Sequence, residues 1–175
     1  MEQLLEIELK CYCDVAPDII EERIKSIGAE FVETRQEHDI YFNHPSRDFK
    51  STDEALRLRK IGDRYRITYK GPKISDVTKA RVEQETSVGN FDTMKNILLS
   101  LGFVESGVVI KLRKIFSAGD TEISIDMVDG LGLFVEIEKV GVLKEHIEKE
   151  ILDIAQKLGL SRFERKSYLE LKYFS

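Results

Sequence analysis

One alternation limits what this chain can fold into. Apolar and charged side chains take turns along short segments, and the charged rows carry both signs. The first segment contains Glu6-Ile7-Glu8-Leu9-Lys10, with Leu5, Ile7, Leu9, Cys11 and Cys13 on one side and Glu6, Glu8, Lys10 and Tyr12 on the other. A period of two marks a strand whose successive side chains point to opposite faces. With one wet face, such charges need no explanation. With both faces covered, they need partners, because unpaired buried charge is costly.

The same alternation predicts strands at about 4–13, 30–43, 55–61, 64–70, 79–88, 103–117, 120–128 and 132–140. Gly62-Asp63, Gly119-Asp120 and Gly130 mark turns between neighbours. Helices are predicted over 17–27, 91–101 and 142–158. Pro17 suits a first turn, Asn90 a cap, and Gly28, Gly102 and Gly159 follow as stops. The polar stretch 44–53 reads as a loop, and 167–171 as a short closing helix or strand. A faint repeat joins these pieces: Glu6/Glu8, Glu83/Glu85 and Glu136/Glu138 each alternate in a strand just before a helix that ends at glycine. Many strands joined by tight turns predict an α+β fold, a closed eight-stranded antiparallel β-barrel with helices packed outside. No low-complexity linker divides residues 1–175, so one domain is expected.

The net charge of -5 argues against a nucleic-acid binder, as does the lack of an exposed basic stripe or reader motif. No apolar run approaches a membrane span and no signal-peptide core is visible, so no membrane partner and a cytoplasmic location are expected. Cys11 and Cys13 share one face of one strand, which is poor geometry for a disulfide. His38, His44 and His146 lack zinc-ligand spacing, so both cysteines read as reduced core residues.

Splitting each strand by parity sorts the charges. Arg57 and Arg59 oppose Leu56 and Leu58; Arg66 and Lys70 share a face, as do Lys79, Arg81, Glu83 and Glu85. Lys111 and Arg113 oppose Ile110 and Leu112, while Glu122 and Asp126, then Glu136 and Glu138, oppose apolar rows. Either the charged rows form a wet outer surface, or they point into a lumen while the helices cover the apolar face. Three amphipathic helices need an apolar surface to pack on, which favours the lumen. Lys10 and the converging arginines and lysines would then call for a polyanion, and phosphate suits arginine forks. Paired glutamates are hard oxygen ligands and suggest Mg2+ or Mn2+ beside the phosphate. No Walker or Rossmann glycine pattern is present, so side chains must do the gripping.

These blocks resemble the CYTH superfamily of triphosphate tunnel metalloenzymes, especially its class IV adenylyl cyclase and thiamine triphosphatase group. The resemblance rests on EIELK at 6–10, TDEALRLRK at 52–60, YRITYKGP at 65–72, ARVEQE at 80–85, VIKLRKIF at 109–116, ISIDMVDGLGLFVEIEK at 123–139 and KSYLEL at 166–171. It implies a barrel-shaped tunnel that binds a triphosphate. Lys10, Arg57, Arg59, Lys70, Arg81, Lys111, Arg113 and Asp126 would form the catalytic and phosphate-gripping set. Glu6, Glu8, Glu83, Glu85, Asp126, Glu136 and Glu138 would serve the metal. Gln84, between two of these glutamates, should point outward.

Three activities follow from that resemblance: metal-dependent hydrolysis of an inorganic, nucleoside or thiamine triphosphate; cyclisation of ATP to cyclic AMP and diphosphate; or triphosphate binding without turnover. Retention of all the acidic positions argues against the third. A homodimer is allowed, using side chains or helices rather than strand edges.

Overall fold

The computed structural model describes residues 4–75, 78–142 and 145–174. The chain runs β1 (Leu5–Tyr12), α1 (Pro17–Ser26), β2 (Glu30–Asn43), α2 (Phe49–Thr52), β3 (Ala55–Ile61), β4 (Arg64–Lys70), β5 (Glu83–Ser87), α3 (Phe91–Ser100), β6 (Val104–Ala118), β7 (Thr121–Val128), β8 (Gly132–Gly141), α4 (Glu145–Lys157), β9 (Phe163–Glu164) and α5 (Tyr168–Tyr173). The strands form one sheet in the order β5-β4-β3-β2-β6-β7-β8-β1-β9, antiparallel throughout. Register shifts in β2, at Phe31/Glu33 and Tyr41/Phe42, fall where it pairs with β6. Such bulges bend a strand and increase its twist.

The helices settle the parity question in favour of a charged concave face. Ile20 and Ile24 of α1 and Ile147, Ile151 and Ala155 of α4 pack on Leu5, Ile7, Leu9, Ile123, Val135 and Ile137. Full burial of each leucine, isoleucine or valine among them contributes about 1.5–3 kcal/mol. Leu98 of α3 covers Ile40, Phe42 and Leu58. The apolar rows of β1, β7 and β8 therefore lie mainly under α1 and α4 and those of β2 and β3 under α3, while Leu112 and Met127 at the row ends stay half exposed. The charged rows are left on the inside of the curl. The strand-to-helix repeat is also real: β1–α1, β5–α3 and β8–α4 are the three units, although residues 143–144 lie outside the described ones.

Three expectations are corrected. The sheet is an open, curled half-barrel of nine strands, not a closed barrel of eight. Its seam fails to zip because β1's free edge is shared. The first half of β1 meets the chain just ahead of β5 in one isolated bridge, Glu6 to Arg81, extended by Lys79 N donating to the Glu8 carbonyl. The second half pairs with β9 through Lys10 and Cys11. The segment 79–88 is accordingly not one strand: its partner changes from β1 to β4 at Val82, and only Glu83–Ser87 is regular. Finally, the 44–53 loop contains the short helix α2, capped by Asp48.

The tail forms a helix, α5, whose Ser167 N-cap and Glu170 make a reciprocal capping box. It packs into the apolar end of the concave face, where Tyr168 and Leu169 meet Tyr41, Val109, Val128 and Phe134. Gly107 permits this approach: a Cβ there would sit 2.6 Å from Leu169 Cδ1 and 2.7 Å from the Tyr173 ring. Val108 N–H donates to the Tyr173 hydroxyl, which donates in turn to the Val108 carbonyl, each at 3.0 Å. Among the described residues no helix is long and apolar enough to cross a membrane.

Candidate functional site

The curl encloses a cavity of ≈ 610 Å³. Its lining includes Glu6, Glu8, Lys10, Arg57, Arg59, Lys70, Arg81, Glu83, Glu85, Lys111, Arg113, Glu136 and Glu138. Those are all the predicted site residues except Asp126, and Gln84 is absent from the lining as expected. α5 stoppers one end with Tyr168 and Leu169, whereas exposed Leu4 and Val140 line the other.

The charges are not mixed at random. β3 and β6 supply Arg57, Arg59, Lys111 and Arg113. β1 and β8 supply Glu6, Glu8, Glu136 and Glu138, with Glu8 opposite Glu138 and Lys10 opposite Glu136 in the ladder. Three buried carboxylates stand behind the cations. Asp39 takes Arg59 in a two-pronged grip, with Nε to Oδ1 at 2.6 Å and Nη2 to Oδ2 at 2.7 Å. Asp126 holds Arg113 the same way, at 2.7 and 2.5 Å. Glu37 lies 3.0 Å from Arg59 and 3.3 Å from Lys111, although its Oε2 makes no well-aligned hydrogen bond. Asp126 also accepts from the Tyr168 hydroxyl at 2.8 Å. Its oxygens are thus engaged from behind, and it carries a cavity arginine instead of facing the cavity.

Two arginines lack such an anchor. Arg57 reaches Thr68 at 3.2 Å and Glu85 at 3.5 Å, but its Nε has no partner. Among the described residues the Arg81 guanidinium has no hydrogen bond or ion pair. Both side chains belong to residues only 7% exposed. Arg57 has only the 3.5 Å contact with Glu85, and Arg81 only the more distant charge of Asp53, so both are weakly compensated and an incoming anion would supply the missing counter-charge.

The acidic wall is strained in the opposite sense. Burial, then Glu8 beside it, pushes Glu138 up to about 7. Burial raises Glu6 well above the usual carboxylate range; Lys70 opposes this, while Glu138 and Glu83 add to it. For Glu8, burial and Glu136 push upward, but Lys79 and Lys10 outweigh them and hold it at about 2. Burial draws Lys79 down to about 7 despite its 3.0 Å contact with Glu8. Lys70 binds both Glu6 and Glu83.

A divalent cation fits this wall by the chemistry of its donors: hard carboxylate oxygens whose mutual repulsion is incompletely compensated. Among the described residues no three acidic, histidine or cysteine groups already converge as a finished ligand set. In this arrangement lysines occupy several of the carboxylates.

A sequence profile of the CYTH domain matches residues 4–168. The chain belongs to the CYTH domain family. A Methanocaldococcus jannaschii relative named "Putative adenylate cyclase" is 40% identical over 174 residues, covering 97% of this chain and 99% of the relative. Adenylate cyclase CyaB of Aeromonas hydrophila is 27% identical over 149 residues, covering 80% and 74% respectively. A Pyrococcus horikoshii protein of solved structure superposes with a TM-score of 0.86 at 38% identity, covering 95% of this chain and 97% of that one.

Sequence reasoning missed the residues behind the CYTH cavity. Glu37 and Asp39 alternate with His38 and Ile40 in β2, so the parity rule that sorted the other strands would have found them. Arg35, bound to Glu33 and Glu37, would have come with them. The role of Tyr168 had no such signal, because it comes from a six-residue helix folded back into the sheet.

Proposed function

We propose that the cavity binds the phosphate chain of a triphosphate and that the protein hydrolyses it in a metal-dependent reaction. The observation that carries this reading is the unanchored pair, Arg57 and Arg81, buried in a cavity whose other arginines are locked to carboxylates. Arg59 and Arg113 are pre-oriented by Asp39 and Asp126, so they can offer their remaining N–H groups without rearrangement. Arg57 and Arg81 would close on the incoming oxygens. Lys10 and Lys111 would neutralise charge deeper in, towards α5.

Metal dependence goes with the CYTH family, and Glu6, Glu8 and Glu138 are our choice to hold Mg2+ or Mn2+. Glu83, Glu85 and Glu136 are assigned to supporting roles as partners of Lys70, Arg66 and Arg113. Glu6 and Glu8 also carry lysine contacts, at 3.3 Å to Lys70 and 3.0 Å to Lys79, which the cation would replace. When bound, the cation would supply Lewis-acid polarisation of a phosphoryl oxygen. As the substrate's oxygens draw Lys70 from Glu6, the carboxylate would be freed for the metal. Grip and metal loading thereby become coupled through one lysine.

Cyclisation of ATP is the second reading, favoured by the names of the two relatives. It needs a seat for the base as well as the phosphate grip. Besides Tyr168, the aromatic residues in the lining that could serve it are Tyr41, Phe42, Phe49 and Phe174. Phosphorus NMR with tripolyphosphate and ATP offered separately, with and without Mg2+ or Mn2+, decides between them. Orthophosphate release from tripolyphosphate is expected; cyclic AMP with diphosphate from ATP would replace hydrolysis by cyclisation.

Arg57→Ala and Arg81→Ala should each weaken tripolyphosphate binding about ten- to a hundredfold, since hydrogen bonds to charged groups contribute about 1.5–3 kcal/mol. Calorimetric titration checks this. Unchanged affinity in both variants would remove them from the grip.

A further inference from the structure

Tyr168 touches more of the basic wall than any reading of the phosphate grip requires. It is a buried residue. Its hydroxyl donates to Asp126 Oδ2 at 2.8 Å, the same oxygen that accepts from Arg113 Nη2. Its ring lies under two ammonium groups, Lys10 Nζ at 3.8 Å and Lys111 Nζ at 5.0 Å from the centroid. Phe134 supports the ring edge-on at 5.1 Å. The backbone is equally committed, through the Ser167 capping box and the close seat against Gly107. A core tyrosine needs one partner for its hydroxyl and apolar neighbours for its ring. This one faces two cations and a carboxylate that carries a third.

We propose that Tyr168 is a positioning residue of the phosphate site: its hydroxyl fixes the Asp126–Arg113 pair, and its ring holds Lys10 and Lys111 at the deep end of the cavity. This rests on the reading of the cavity as a triphosphate site. The alternatives open to each cation explain why positioning is needed. Lys10 has Glu136 at 3.1 Å and Glu8 at 3.6 Å. Lys111 has Glu37 at 3.3 Å and Asp126 at 3.4 Å. Without the ring, each ammonium can collapse onto its carboxylates and lose reach towards an anion. Cation–π attraction is strongest where water is excluded, as here. Without the hydroxyl, Asp126 keeps its two-pronged grip on Arg113, but the pair loses the contact that anchors it to α5 and can shift as a unit.

The test compares Tyr168→Phe, Tyr168→Leu and the unaltered protein in calorimetric titrations with tripolyphosphate, with circular dichroism as the check on folding. Tyr168→Phe should weaken binding about threefold to tenfold and Tyr168→Leu about thirtyfold or more. A cycle with Arg113→Lys separates positioning from a general loosening. The Tyr168→Phe loss should largely disappear in the Arg113→Lys background, because the hydroxyl acts through Arg113. Equal binding by the unaltered protein and Tyr168→Phe overturns the proposal, as does a Tyr168→Phe loss that simply adds to that of Arg113→Lys. If Tyr168→Leu does not fold, the Tyr168→Phe cycle decides by itself. Failure of the unaltered protein to bind tripolyphosphate overturns the triphosphate reading and this proposal with it. Normal binding that is insensitive to Tyr168 overturns this proposal alone.

Discussion

Changing Glu6 and Glu138 together to glutamine should reduce metal-dependent turnover of a triphosphate about a thousandfold while leaving the fold intact. Lewis-acid stabilisation of a transferring phosphoryl group is a matter of several kcal/mol, and each 1.36 kcal/mol is about tenfold in rate. Glutamine keeps the shape and loses the charge that a divalent ion needs. Mn2+ binding followed by electron paramagnetic resonance should fall in parallel; full Mn2+ affinity in the double variant would remove these residues from the metal site. The metal-free double variant should also be more stable than its parent. Glu138 titrates at about 7 in the folded chain, raised by burial and Glu8. In the unfolded chain a glutamate titrates near 4.3. Between these values the folded state holds more protons than the unfolded state, so stability falls as pH rises through the window. The gain from glutamine should therefore be larger at pH 8 than at pH 5, which urea titrations at the two values will measure.

Asp39→Asn should cost the fold about 3–5 kcal/mol, the usual penalty for leaving one member of a buried ion pair without its partner. Arg59 would keep at most one of its two hydrogen bonds to residue 39, to the amide oxygen, would face an amide N–H in place of the other acceptor, and would have Glu37 as its remaining charged partner. For a domain of this size the midpoint of thermal unfolding should drop by roughly 6–20 °C. The opposing forces on Asp39 are burial, which raises its titration point, and Arg59, which more than reverses that. Its folded value lies below the unfolded one, so its contribution is present above the unfolded carboxylate range and disappears as pH falls through the folded value. Asp18→Asn, on the exposed surface of α1, is the control and should change stability by no more than about 0.5 kcal/mol. A midpoint unchanged in Asp39→Asn would mean that Arg59 is anchored by other means.

Most of this was legible in the chain because a period of two leaves little freedom. The ranges of β2, β3 and β4 follow from alternation and a glycine turn, and the charged rows identify thirteen of the fourteen expected site residues as cavity lining. Alternation was blind to a change of partner. Lys79, Arg81, Glu83 and Glu85 keep one parity across Val82, although the backbone leaves β1 there and joins β4. Pattern reports which way a side chain faces, not which strand lies beside it. The same blindness made the sheet look closed. It also placed Asp126 in the cavity, because parity cannot tell the cavity wall from the layer behind it. β9 is only two residues long, below the length at which any period can be seen.

The shared edge of β1 has a consequence for biosynthesis. Residue 10 pairs with residue 164, and its other neighbour, β8, begins only at Gly132. Apart from the short contact with residues 79–81, β1 must wait for about 120 further residues before its ladder partner β8 is made. At about 5–20 residues per second, that wait is on the order of ten seconds. Through it, a strand with Leu5, Ile7 and Leu9 along one face lacks its sheet neighbours. Such long-range closure slows folding and makes the nascent chain dependent on keeping that face from other chains. The alternating glutamates and lysine of Glu6-Ile7-Glu8-Leu9-Lys10 put charge at every second position of that waiting strand, which discourages pairing between copies. The residues that line the cavity in the finished protein therefore also act as gatekeepers while it is being made.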